Sequence, residues 1–147
     1  MPQERYRRNL PHWRGDDVIY FVTWRLSPAK PELAPAERDV VADAIAHFDR
    51  RRYELAAYVV MNDHVHVLVR PMAGYPLQDV VHSWKSYSAN RLQRAHRRIG
   101  AVWEEEYFDR IVRGEKEFRR TFEYILFNPR KRWPELQEYR WVWASEE

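Results

Sequence analysis

Two apolar runs separated by a polar pair restrict this chain more than any other feature. Tyr53–Met61 and His64–Arg70 are rich in β-branched and aromatic residues, and Asn62-Asp63 between them suits a tight turn. The segment 53–70 therefore predicts a β-hairpin. Side chains alternate along a strand, so Val65, Val67 and Val69 share one face of the second strand and His64 and His66 the other. A sheet built on this hairpin has one apolar face for helices to cover and two imidazoles side by side on the opposite face.

The flanking sequence supplies the rest of the sheet. Asp17–Leu26 predicts a strand, Ser27–Pro35 a proline-rich loop, and Ala36–Arg52 a helix with Val40, Val41, Ala44, Ile45 and Phe48 inward. A helix is predicted from Leu77 to about Arg98, with Leu77, Val80, Val81, Trp84 and Leu92 inward, then a strand over Tyr107–Arg113. A final helix over Glu115–Phe127 is expected to close at Asn128-Pro129, leaving Arg130–Glu147 unassigned. The fold class is α+β: a ferredoxin-like βαββαβ antiparallel sheet with helices on one face, plus an additional C-terminal helix. One domain over 1–147 is expected, with a basic arm over 1–16 and a tail over 130–147.

Composition removes several chemistries. The chain has no cysteine, which excludes disulfides, thiolate metal sites and cysteine nucleophiles and fits a reducing, cytoplasmic setting. Four glycines exclude a glycine-rich phosphate loop. The longest apolar run, Leu55–Met61, is far short of a membrane span, and the N-terminus carries no signal-peptide core. Of the 25 basic residues 21 are arginine, and aromatics make up 15% of the chain. Arginine forks phosphate and stacks on bases, so a single-stranded nucleic acid fits this surface; arginine from genomic composition and tryptophan in the core fit the numbers too.

Two constellations carry chemistry. Neutral imidazoles at i and i+2 on a strand can share a divalent metal, and they equally describe two surface or interface histidines. Tyr124 and Asn128 lie about 40° apart on one helix face, flanking the stripe of Phe118, Phe122 and Ile125. Alone, such a tyrosine is a rim packing residue and such an asparagine a helix stop. Together the two describe a phosphodiester-cleaving site: a cation bound by His64, His66 and Asn128 polarises a phosphate oxygen, and the Tyr124 hydroxyl attacks phosphorus.

Here the sequence resembles a family. Met61-Asn-Asp-His-Val-His-Val-Leu-Val is similar to the histidine–hydrophobic–histidine strand of single-tyrosine transposases of the IS200/IS605 type, and Tyr124-Ile-Leu-Phe-Asn128-Pro to their tyrosine helix. Tyr6-Arg-Arg-Asn-Leu-Pro-His-Trp, Tyr20-Phe-Val-Thr-Trp-Arg-Leu and Tyr107-Phe-Asp-Arg-Ile-Val-Arg extend the resemblance, most closely to the REP-associated tyrosine transposases, over residues 5–130. It implies a metal-dependent endonuclease and strand transferase, using Mg²⁺ or Mn²⁺, that cuts single-stranded or hairpin DNA through a 5′-phosphotyrosine link and leaves a free 3′-OH. Tyr124 would be the nucleophile, with His64, His66 and Asn128 the metal ligands. The chain departs from the pattern at Asn62-Asp63, where the family often has Pro-Asn, and at Arg130-Lys-Arg-Trp, where it usually turns through Gly-Leu.

Arg7, Arg8, His12 and Trp13 in the arm, Lys85, and the pair Arg110 and Arg113, read as sharing one strand face, are the candidate DNA contacts. Tyr87 is the rival nucleophile, on the helix expected to cover the far face, with no amide at i+4. Ser83, Ser86 and Ser88 share that helix, and His47, His82 and His96 read as surface residues. A second reading is a domesticated module that binds single strands or hairpins without cutting. A monomer and a dimer with exchanged tyrosine helices both fit the sequence.

Overall fold

The computed structural model describes residues 18–145. The arm over 1–16, with Arg7, Arg8, His12 and Trp13, lies outside them. The elements run β1 (Ile19–Arg25), α1 (Pro35–Ala46), β2 (Tyr53–Val60), β3 (His64–Pro71), α2 (Leu77–Ala95), β4 (Phe108–Val112), α3 (Gly114–Arg132) and β5 (Val142–Ala144). The strands form one antiparallel sheet in the order β4-β1-β3-β2-β5. This is the expected split βαβ arrangement with one strand added at the β2 edge.

One face carries α1 and α2. Val65, Val67 and Val69 pack there with Val22 and Trp24 of β1, Val41 and Ile45 of α1, and Val81, Trp84 and Leu92 of α2. Tyr53 joins the layers: its buried hydroxyl donates to the Ile45 carbonyl at 2.5 Å and accepts from Trp84 Nε1 at 2.9 Å. The opposite face carries α3, whose Phe118, Phe122, Ile125 and Leu126 pack on Ile19, Ala57, Val59, Leu68 and Val112. A β-bulge between Leu55 and Ala57 explains why β2 is apolar almost throughout. One extra residue reverses the alternation, so Leu55 packs with α1 and α2 and Ala57 with α3.

Several boundaries differ from the sequence reading. The first helix ends at Ala46 rather than Arg52, and the chain turns through Arg50 at φ 71°. The last helix does not stop at Asn128-Pro129; it runs to Arg132, with Pro129 buried inside it. Proline there removes one helical N–H and crowds the preceding turn, a penalty of about 3 kcal/mol; burial of Phe122, Ile125 and Leu126 on the sheet offsets it, and Trp133 N–H closes the end on the Pro129 carbonyl at 2.8 Å. The tail also has structure. Tyr139 donates to the Val60 carbonyl at 2.6 Å, Trp143 stacks on Tyr58 at 5.8 Å, and β5 pairs with β2. Arg113 is not on a strand face: β4 ends at Val112, Arg113 is the N-cap of α3, and residues three apart on a strand point to opposite sides in any case.

Candidate active site

The site grows out of the β1–β3 register. Thr23 lies opposite His66, Arg25 opposite His64, and Phe21 opposite Leu68, so all six share the α3 face. His66 is buried beneath the ring of Phe21, which stacks on it at 5.2 Å. The two histidine rings are 4.8 Å apart.

Each ring is tied at Nδ1. His64 Nδ1 donates to Asp63 Oδ1 at 2.7 Å, and His66 Nδ1 is 2.7 Å from Thr23 Oγ1. A carboxylate only accepts, so the proton on His64 sits at Nδ1 and Nε2 of the neutral ring keeps its lone pair. The same tautomer at His66 follows when the Thr23 hydroxyl accepts. Burial, then the neighbouring His64, then the charges of Arg25 and Lys131 push His66 down to about 3. It is therefore a neutral imidazole at physiological pH, the form that binds metals. Among the described residues no group of three or more His, Cys, Asp and Glu side chains comes together to hold a metal ion. Two imidazoles that offer a lone pair at Nε2 and the amide oxygen of Asn128 are donor types that suit one divalent cation.

The sheet's third helix delivers the tyrosine. Tyr124 is 40% exposed, and its ring lies 5.4 Å from His66 and 6.0 Å edge-on from Phe21. Lys131 Nζ stands 4.8 Å from the centre of the same ring. Asn128 is one turn beyond Tyr124 on α3 and is buried. Tyr124, exposed, and both histidines thus meet on one sheet face.

The other candidates fall elsewhere. Lys85 is on α2, behind the sheet, where its ammonium donates to the carbonyls of Glu104 and Glu105 at 2.8 Å each. Arg110 does reach the site face, with its guanidinium 5.0 Å from the Phe21 ring, but it also binds Glu117 and Thr121 at 3.3 Å. Tyr87 is on α2 against His47, its ring stacked at 5.8 Å, on the side of the sheet away from the histidines. Thr23, Arg25, Phe21 and Lys131 are site residues that motif reading passed over. The alternation Phe21, Thr23, Arg25 in a predicted strand was the available signal for three of them.

The family model for IS200-like transposases matches residues 30–127. The fold is similar to that of a REP-associated tyrosine transposase bound to a REP hairpin, at a TM-score of 0.69 and 19% identity over 90% of this chain and 81% of that one. It is also similar to a candidate transposase from Deinococcus radiodurans R1, at a TM-score of 0.56 and 22% identity over 80% of this chain and 96% of that one. No curated protein matches the chain.

Proposed function

The chain belongs to the IS200-like transposase family, and from that premise we propose that it cuts and rejoins single-stranded or hairpin DNA through Tyr124. What supports this reading is the meeting of His64, His66 and Tyr124 on one sheet face, with both Nδ1 atoms already engaged by Asp63 and Thr23. The similar REP-associated transposase is bound to a REP hairpin, which favours hairpin DNA as the substrate class here.

His64, His66 and Asn128 would hold Mg²⁺ or Mn²⁺. The cation, when bound, withdraws charge from a phosphate oxygen and so favours attack at phosphorus. The chain's own residues do the rest. Asp63 and Thr23 fix the imidazoles by their Nδ1 bonds, and Phe21 excludes water from one side of His66. Tyr124 Oη forms a bond to phosphorus while the P–O3′ bond breaks. The tyrosine proton is lost and the departing 3′ oxygen gains one, leaving a 5′-phosphotyrosyl link and a free 3′-OH. Attack of a 3′-OH on that link restores the tyrosine and rejoins the strand, so no nucleotide triphosphate is needed.

The test is incubation of the full chain with labelled single-stranded hairpins and Mn²⁺, followed by denaturation. Label retained on the protein supports the reading. Hairpin binding without label transfer under any divalent cation contradicts it and leaves a non-cleaving binding module.

A further inference from the structure

Two cations of the site meet no acidic partner among the described residues. Arg25 is exposed at the end of β1, directly across from His64. Lys131 is exposed near the end of α3, seven residues after Tyr124. Seven residues are close to two helical turns, so the two side chains lie about 20° apart on one face, and Lys131 Nζ lies over the Tyr124 ring at 4.8 Å. Among the described residues neither Arg25 nor Lys131 makes an ion pair or a side-chain hydrogen bond. Other cations differ. Arg70 pairs with Glu54 and Arg110 with Glu117, while Lys85, behind the sheet, is bound to two carbonyls.

We propose that Arg25 and Lys131 form a two-cation clamp for a DNA phosphate beside the histidine pair, gripping the backbone at the strand segment that Tyr124 faces. Two positive charges brought to one face by separate elements, Arg25 across from His64 and Lys131 over the Tyr124 ring, suit a phosphodiester. Its non-bridging oxygens accept charge-assisted hydrogen bonds, from arginine as a fork and from lysine as a point charge. The ring of Tyr124 beneath the ammonium keeps Lys131 in place while the site is empty of anion. The clamp rests on the reading that the substrate is DNA, but it requires neither cleavage nor a bound cation.

Its test uses the full chain in EDTA with a short fluorescent oligothymidine, measuring affinity against salt concentration. Each phosphate contact on a single strand contributes about 0.7 to the slope of log affinity against log salt. Arg25→Gln and Lys131→Gln should each lower the slope by about 0.7, and the double variant by about twice that. Arg25→Lys and Lys131→Arg should restore it, as a merely structural role would not. Arg94→Gln, on the exposed side of α2, should leave it unchanged. Slopes equal to wild type in both glutamine variants overturn the clamp, even if the DNA adduct forms normally. An equal drop in Arg94→Gln also overturns it, because contact would then be diffuse. A slope loss without any covalent adduct in wild type sustains the clamp and defeats the cleavage reading alone. Absence of oligothymidine binding by wild type overturns the clamp and leaves the cleavage reading to the hairpin assay.

Discussion

Asp63 Oδ1 accepts a 2.7 Å hydrogen bond from His64 Nδ1, and so the residue that turns the β2–β3 hairpin also sets the tautomer of the first histidine of β3. The hairpin turn and the site are thereby one structure. Leu26 N–H donates to the Asp63 carbonyl at 2.9 Å, which fastens the turn to the end of β1.

Asp63→Asn and Thr23→Val test this support. Either change removes or reverses a partner of a ring nitrogen while the strand pairing stays. Such partners change metal affinity by about 10- to 100-fold. We expect apparent Mn²⁺ affinity in the adduct assay to fall by that order, with unchanged oligonucleotide affinity in EDTA. Full activity at the wild-type Mn²⁺ requirement would show that neither bond matters.

His64→Ala combined with His66→Ala should abolish adduct formation and leave most DNA binding, because phosphate contacts dominate affinity. Nitrogen donors take a transition-series cation more readily than Mg²⁺, which prefers oxygen. Wild type should therefore reach half-maximal activity at lower Mn²⁺ than Mg²⁺. Titrating the two cations in parallel checks this, and the reverse order contradicts a two-imidazole site.

Phe122 is fully buried between α3 and the sheet. Phe122→Ala should cost about 3–5 kcal/mol of stability by urea unfolding. It should also weaken the hold on the helix that carries Tyr124. A loss below about 1 kcal/mol would mean that α3 is not packed as described.

The ion pair of Glu37 and Arg98 gives a pH dependence. Arg98 Nε reaches Glu37 Oε2 at 2.6 Å, with both side chains 9% exposed. The hydrogen bonds from Arg98, despite the opposing effect of burial, hold the Glu37 carboxyl below its ordinary value. A carboxyl with a depressed folded-state pKa stabilises the fold above its unfolded value, and that stability is lost as pH falls through the folded one. Glu37→Gln should therefore cost stability at neutral pH and flatten the fall below about pH 4.5. Parallel curves for wild type and variant from about pH 6 to about pH 3 would contradict this.

Much of this molecule was legible from local pattern. The hairpin at 53–70 rests on β-branched and aromatic runs around a polar pair, and the valine and histidine faces of β3 and the amphipathic α2 on period-two and period-3.6 signals that tertiary context did not override. What was missed depended on long-range geometry. The Thr23–His66 bond joins residues 43 apart and exists only because of one cross-strand register. β5 has three residues, too few to show a period, and is held by aromatic stacking on β2. Pro129 was read as a stop because proline opposes helix, yet packing carries α3 past it. Lys131 lies beyond that proline, and its helical relation to Tyr124 exists only because α3 continues to Arg132.

The central claim is that the Tyr124 hydroxyl becomes bonded to DNA. Tyr124→Phe removes one oxygen from a ring held by His66, Phe21 and Lys131, so the fold and the DNA affinity should persist. The direct measurement is the fraction of 3′-labelled hairpin DNA, cut in Mn²⁺, that migrates with denatured protein in wild type, Tyr124→Phe and Tyr87→Phe. The account predicts label transfer in wild type and Tyr87→Phe and none in Tyr124→Phe. Persistent transfer in Tyr124→Phe, or loss confined to Tyr87→Phe, contradicts it.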